Sequence, residues 1–126
     1  MRKFLREKSS YIILICILLI QIIFMIFYCD MKKGYFVDEV WSYGLANSYY
    51  HAQIWEDGAL DNPEISPEIF KDYLTVNKGE TFKFGSVIYN QTHDSHPPLF
   101  YMVLHAISSC FPGQFIKWFG LIPKLL

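Results

Sequence analysis

Cysteine is scarce in this 126-residue chain, with three residues at positions 16, 29 and 110. None has a metal-ligand spacing, and three make no secreted disulfide framework. Their place within or beside apolar runs suits small apolar fillers. A glycine-rich phosphate loop is missing, as are a Ser nucleophile elbow and a catalytic-cysteine signature. A nucleotide-sugar enzyme of the soluble Rossmann type therefore has no support. No internal repeat or low-complexity tract is present. Charge is absent altogether from Tyr11 to Tyr28.

That uncharged stretch, YIILICILLIQIIFMIFY, holds 18 residues with Gln21 as its one strongly polar member. At about 1.5 Å per residue a helix of this length covers roughly 27 Å, close to a hydrocarbon core of about 30 Å. It is longer than a signal-peptide core, and no small-residue cleavage site follows, so residues 11–29 are expected to form a retained transmembrane helix.

The net charge of −1 hides a strong asymmetry. Residues 1–10 carry a net +3, residues 30–96 a net −6 and residues 97–126 a net +2. The basic tail 1–10 puts the N-terminus in the cytoplasm and leaves 30–96 as an extracytoplasmic loop. A bacterial cell membrane is the preferred setting. The acidic middle would repel phosphate backbones, which argues against nucleic acid as a partner.

Val37, Trp41, Leu45 and Tyr49 recur every four residues, as on one face of a short amphipathic helix. Asp38 and Glu39 stand at its start, where a carboxylate can cap exposed amides or serve as a general base. The aromatics Trp41, Tyr43, Tyr49, Tyr50 and Trp55 suit a lipid–water interface. Asp57-Gly58 and Asn62-Pro63 signal turns. Ser66-Pro67-Glu68 has the form of an N-cap with proline in the first turn, predicting a helix over 67–75. The β-branched and aromatic bias of Thr81 to Tyr89 predicts a strand there.

From Pro97 an apolar run of 15 residues, PPLFYMVLHAISSCF, precedes Pro112-Gly113. Its two prolines would pre-set a first helical turn. Residues 97–111 are expected to form a second transmembrane helix; the alternative is a buried or re-entrant segment. Residues 112–126 would begin further membrane structure or a cytoplasmic tail. Just before the prolines stand His93, Asp94 and His96, a set that could hold a divalent metal but offers only three ligands. His105, inside the run, suits packing or a buried hydrogen bond.

Val37-Asp38-Glu39-Val40-Trp41 and Asp94-Ser95-His96-Pro97-Pro98-Leu99-Phe100-Tyr101, in that order after a basic tail and a first span, resemble bacterial membrane glycosyltransferases of the GT-C class. The likeness is to their protein-mannosyltransferase-like and aminoarabinose-transferase-like branch (glycosyltransferase family 39-like). It covers the chain to about Pro112-Gly113. It implies a mainly α, integral membrane, multi-pass fold and a polyprenyl-phosphate sugar donor, with membrane lipid around its tail. Asp38 would activate an acceptor hydroxyl, with Glu39 as a supporting acid or ligand. Asp94 and His96 would bind sugar, phosphate or metal, and a divalent cofactor could be reached by Glu39, Asp94 and His96. Members of this class have many more transmembrane helices. The chain is therefore expected to be a truncated GT-C-like portion, or to need further membrane subunits or the missing C-terminal helices. The alternative is a small membrane-anchored interaction protein without catalytic activity.

Overall fold

The computed structural model describes residues 2–58, 60–61 and 66–125. The Asn62-Pro63 turn lies outside them. The described residues are mainly helical and contain no strand. The chain divides into two compact units, residues 1–34 and 35–126.

The first unit is helix α1, Arg2–Met31. Within it Lys8–Met31, 24 residues, is long and apolar enough to cross a membrane. At about 1.5 Å per residue that is roughly 36 Å of helix. From Ile12 to Phe27 its isoleucines, leucines and phenylalanines are exposed, apart from the partly covered Ile22. A helix apolar on every face must be buried in protein or sit in lipid.

The second unit packs α2 (Val37–Asn47), α3 (Pro67–Leu74), α4 (Phe84–Gln91) and α5 (Pro98–Ser109), followed by a short α6 (Ile122–Leu125). The core joins Tyr43, Leu45, Ala46, Tyr73, Leu74, Val87, Tyr101, Leu104 and Phe119. Buried side chains also tie the helices by hydrogen bonds. Asn47 donates to the Leu74 carbonyl at 2.8 Å, joining α2 to α3. Asn90 donates to the carbonyls of Leu45 (3.2 Å) and Ser48 (3.0 Å), joining α4 to α2. His105 Nδ1 lies 2.8 Å from the Ala46 carbonyl, joining α5 to α2.

Helix α3 starts as its sequence signal predicts, with Ser66 Oγ accepting from Glu68 N–H at 3.3 Å and Pro67 in the first turn. Gly58 takes a positive φ of 70° in the turn expected at Asp57-Gly58. The strand expected over 81–89 is corrected. Residues 84–91 form α4, because Ser86, Val87, Asn90 and Gln91 together make one buried helical face. That face recurs at helical, not alternating, spacing. The amphipathic face expected on α2 is also shifted. Tyr43 through Asn47 are buried, whereas Val37, Trp41 and Tyr49 are exposed.

Within the run 97–111, α5 holds 12 residues, or about 18 Å at the α-helical rise, short of a 30 Å hydrocarbon core. Tyr101, Leu104, His105, Ser108 and Ser109 give it a buried face inside the unit. The segment after it folds back: Tyr43 donates its hydroxyl hydrogen to the Ile116 carbonyl at 2.8 Å and accepts from Gly120 N–H at 2.9 Å.

Candidate functional site

The first turn of α2 positions the acidic pair. Its N-cap is Phe36, so Asp38 and Glu39 are the second and third residues of the helix, where carboxylates complement the exposed amides. Glu39 Oε2 accepts from the Phe36 N–H at 3.2 Å. Phe36 has no side-chain acceptor, so only this half of a capping box can form. Asp38 is exposed and has no such duty; its main-chain carbonyl accepts from Ser42 Oγ at 2.7 Å. The two acids therefore divide: Glu39 holds the helix start, and Asp38 is left exposed.

The loop between α4 and α5 positions the second motif. Asp94 is the centre of a small network. Its Oδ1 accepts from Ser95 N–H at 2.8 Å, His96 Nδ1 lies 3.0 Å from its Oδ2, and Tyr101 donates its hydroxyl hydrogen to Oδ2 at 3.1 Å. Burial pushes the Asp94 carboxyl up. The hydrogen bonds from Ser95, His96 and Tyr101 and the charge of His96 outweigh it, leaving the carboxyl below its ordinary value. Burial and the Asp94 charge together push the Tyr101 phenol up to about 12, against a smaller opposing contribution from Ser42. Tyr101 therefore remains a proton donor at neutral pH.

Both motifs line one cleft of about 560 Å³. Its polar groups are Asp38, Ser42, Asp94, His96 and Tyr101; Trp41, Leu45, Pro97 and Phe100 supply apolar walls. The lining thus mixes two carboxylates with aromatic and aliphatic side chains, which suits a ligand with both polar and apolar parts. Of the residues singled out from the sequence, Asp38, Asp94 and His96 come together, and Glu39 turns to its cap. Ser42, Tyr101 and Phe100 were missed as site residues. Ser42 lies one helical turn after Asp38, so the spacing that brings them together was readable. Tyr101 could be connected to Asp94 only once the start of α5 was known.

The metal reading fits poorly. Among the described residues no group of three or more His, Cys, Asp or Glu side chains could hold a metal ion. His93 Nδ1 lies 3.2 Å from the Tyr89 carbonyl and 3.1 Å from Thr92 Oγ1, so its ring is engaged on α4, apart from the Asp94–His96 pair. No family model, curated protein or solved structure matches the chain.

Proposed function

We propose that the chain is the N-terminal part of a membrane glycosyltransferase that moves a sugar from a polyprenyl-phosphate donor to an acceptor hydroxyl on the extracytoplasmic face. The observation that carries this reading is the shared cleft: Asp38 from one motif and Asp94 and His96 from the other border the same space. In this reading α1 anchors the chain, and the loop 30–96 that carries Asp38, Asp94 and His96 lies outside. Further membrane crossings come from additional chain or partner subunits.

Asp38 takes the proton from the acceptor hydroxyl as its oxygen attacks the anomeric carbon. The bond from that carbon to the lipid-phosphate oxygen breaks with inversion, and the phosphate leaves with the electron pair. Negative charge grows on the leaving oxygen, so a donor at the lip of the cleft lowers the barrier. His96, its side chain 69 % exposed, can supply one through Nε2–H when both ring nitrogens carry hydrogen, its Nδ1–H being given to Asp94. Asp94 orients that imidazole, and Tyr101 holds Asp94. Trp41, Leu45 and Phe100 offer a surface for the first isoprene units.

In membranes from cells producing the protein, Asp38→Asn should reduce sugar transfer from a polyprenyl-phosphate donor by about 10²-fold or more, the ordinary contribution of a general base. Membrane insertion and helix content should be unchanged. Normal turnover in that variant overturns the assignment.

A second reading rests on one specific feature. Trp41 and Trp55 form an exposed edge-to-face pair with ring centroids 6.0 Å apart. Such a surface suits a membrane-anchored interaction protein. In that case Asp38 and His96 would tolerate substitution, while Trp41→Ser and Trp55→Ser would abolish association.

A further inference from the structure

Gln21 is the one strongly polar side chain in the uncharged stretch from Tyr11 to Tyr28, and it stands near the middle of α1. The midpoint of the apolar span Lys8–Met31 falls between Leu19 and Ile20, so by helical rise Gln21 sits about 2 Å from it. In a hydrocarbon core of about 30 Å the nearer interface is then about 13 Å away along the axis, beyond the reach of a glutamine side chain. The side chain is exposed and has no hydrogen-bond partner among the described residues. Its own helix has no donor for the amide oxygen, because every interior N–H is already given to a carbonyl. An amide held in hydrocarbon without hydrogen bonds is costly, so at this depth it calls for a polar group on another membrane helix. Helix α5, the other apolar helix among the described residues, turns His105, Ser108 and Ser109 into the core of its own unit.

The chemistry of the amide identifies the partner. A primary amide carries both N–H donors and an acceptor oxygen, so a second glutamine at the same depth satisfies it by two reciprocal bonds. A carboxylate or an ammonium would answer only half of it and bring a full charge to the middle of the bilayer. Copies of one chain insert in the same sense, set by the same basic tail. Two parallel copies of α1 therefore bring Gln21 to Gln21 at equal depth, as a twofold axis along the membrane normal requires. The neighbouring residues fit such a seam. Leu14 and Ile17 stand seven and four residues before Gln21, and Phe24 and Tyr28 three and seven after it. That is the spacing of a two-helix seam, in which a single polar position fixes register and oligomer state. All four are exposed, and Phe24 and Tyr28 stack along this face with ring centroids 6.5 Å apart. The opposite face, with Leu19 and Ile26, has no polar member to set a register. We infer that α1 pairs two copies of this chain, parallel in the bilayer, through reciprocal hydrogen bonds between their Gln21 side chains. The inference rests on the anchoring part of the reading above and uses nothing at the cleft.

Förster energy transfer tests it, with the full chain in phosphatidylcholine vesicles and dyes on the exposed Cys110 after replacement of Cys16 and Cys29 by alanine. Transfer between donor- and acceptor-labelled copies should exceed that of random proximity and fall when unlabelled parent chain is added. Gln21→Leu should weaken the association by about fivefold or more, the effect of an interhelical hydrogen bond between model membrane helices. Gln21→Asn should keep most of it. Leucine enters hydrocarbon more readily than glutamine, so Gln21→Leu should stay inserted and helical. Copper-phenanthroline oxidation locates the seam in a chain without native cysteines. Tyr28→Cys should form a disulfide-linked dimer; Ile26→Cys, at similar depth on the opposite face, should not. Transfer no greater than random proximity overturns the inference and leaves Gln21 to a different membrane helix. So does association indifferent to Gln21→Leu, or cross-linking strongest at Ile26→Cys. Alkaline carbonate extraction separates this failure from that of the anchor. Release of the parent chain from membranes overturns both, whereas a retained but monomeric chain overturns the pairing alone. Failure of the transferase chemistry would show instead in the Asp38→Asn turnover, with pairing intact.

Discussion

His105 shows at the residue scale how one buried ring can govern pH dependence. It is 2 % exposed, with Nδ1 held by the Ala46 carbonyl and Nε2 facing no partner. Burial pushes its pKa below the ordinary value, and the bond to Ala46 only partly opposes that. The unfolded chain therefore takes up this proton first, near the usual histidine pKa of about 6.5. Stability should be fully present above that pH and fall as acid is added, by at most about 1.4 kcal/mol per pH unit for this one group. The loss stops once the folded ring itself protonates. His105→Asn keeps an N–H donor near the Nδ1 position but cannot titrate. Thermal melts between pH 7.5 and 5.5 should give a declining midpoint for the parent chain and a flatter one for the variant. Parallel curves would show that His105 does not carry the effect. A polar role for His105 was legible in the sequence, since a histidine inside an apolar run must be paired or exposed. Its partner was not, because Ala46 lies 59 residues away and only the α2–α5 packing joins them.

At the scale of elements, the α2–α3 crossing depends on a missing side chain. A Cβ added at Gly44 would overlap the Tyr73 ring. That ring is itself 4 % exposed and fixed through its hydroxyl, so it has nowhere to retreat. Overpacking of this kind costs about 1–3 kcal/mol, whereas alanine is otherwise the better helix former by up to about 1 kcal/mol. Gly44→Ala should therefore lower the denaturation midpoint despite its helix propensity; a rise would mean that the crossing can open without loss. The sequence left this crossing invisible, as a lone glycine inside a helical pattern does not reveal what approaches it. Helix α3 was readable from Ser66 and Pro67 because caps are local chemistry. Helix α4 was misread as a strand, since its aromatic and β-branched residues speak for both states and its buried polar pair, Ser86 and Asn90, declares a face only against α2. The two site motifs were legible as motifs. Their meeting in one cleft depends on α5 lying against α2, a long-range fact.

For the molecule as a whole, topology reduces to where α5 ends. If residues 97–111 cross the bilayer, Cys110 arrives at the cytoplasmic face. If α5 belongs to a unit wholly outside, Cys110 stays on the outer side with Asp38 and Asp94. The second arrangement has the physical advantage. Helix α5 is about 18 Å long by its 12 residues, and its buried face carries His105, Ser108 and Ser109. Polar groups of this kind are satisfied more readily among α2 and α4 than against hydrocarbon. Cys110 is exposed, so it can report directly once Cys16 and Cys29 are replaced by alanine. A membrane-impermeant maleimide should label that variant on intact cells, and to the same extent as a Lys78→Cys variant lacking the native cysteines. Labelling of Cys110 only after lysis, with Lys78→Cys labelled from outside, would establish that α5 crosses. If both label only after lysis, α1 runs in the opposite sense and the cleft faces the cytoplasm. The topology result therefore also decides from which side of the membrane a ligand must be offered to the cleft at Asp38.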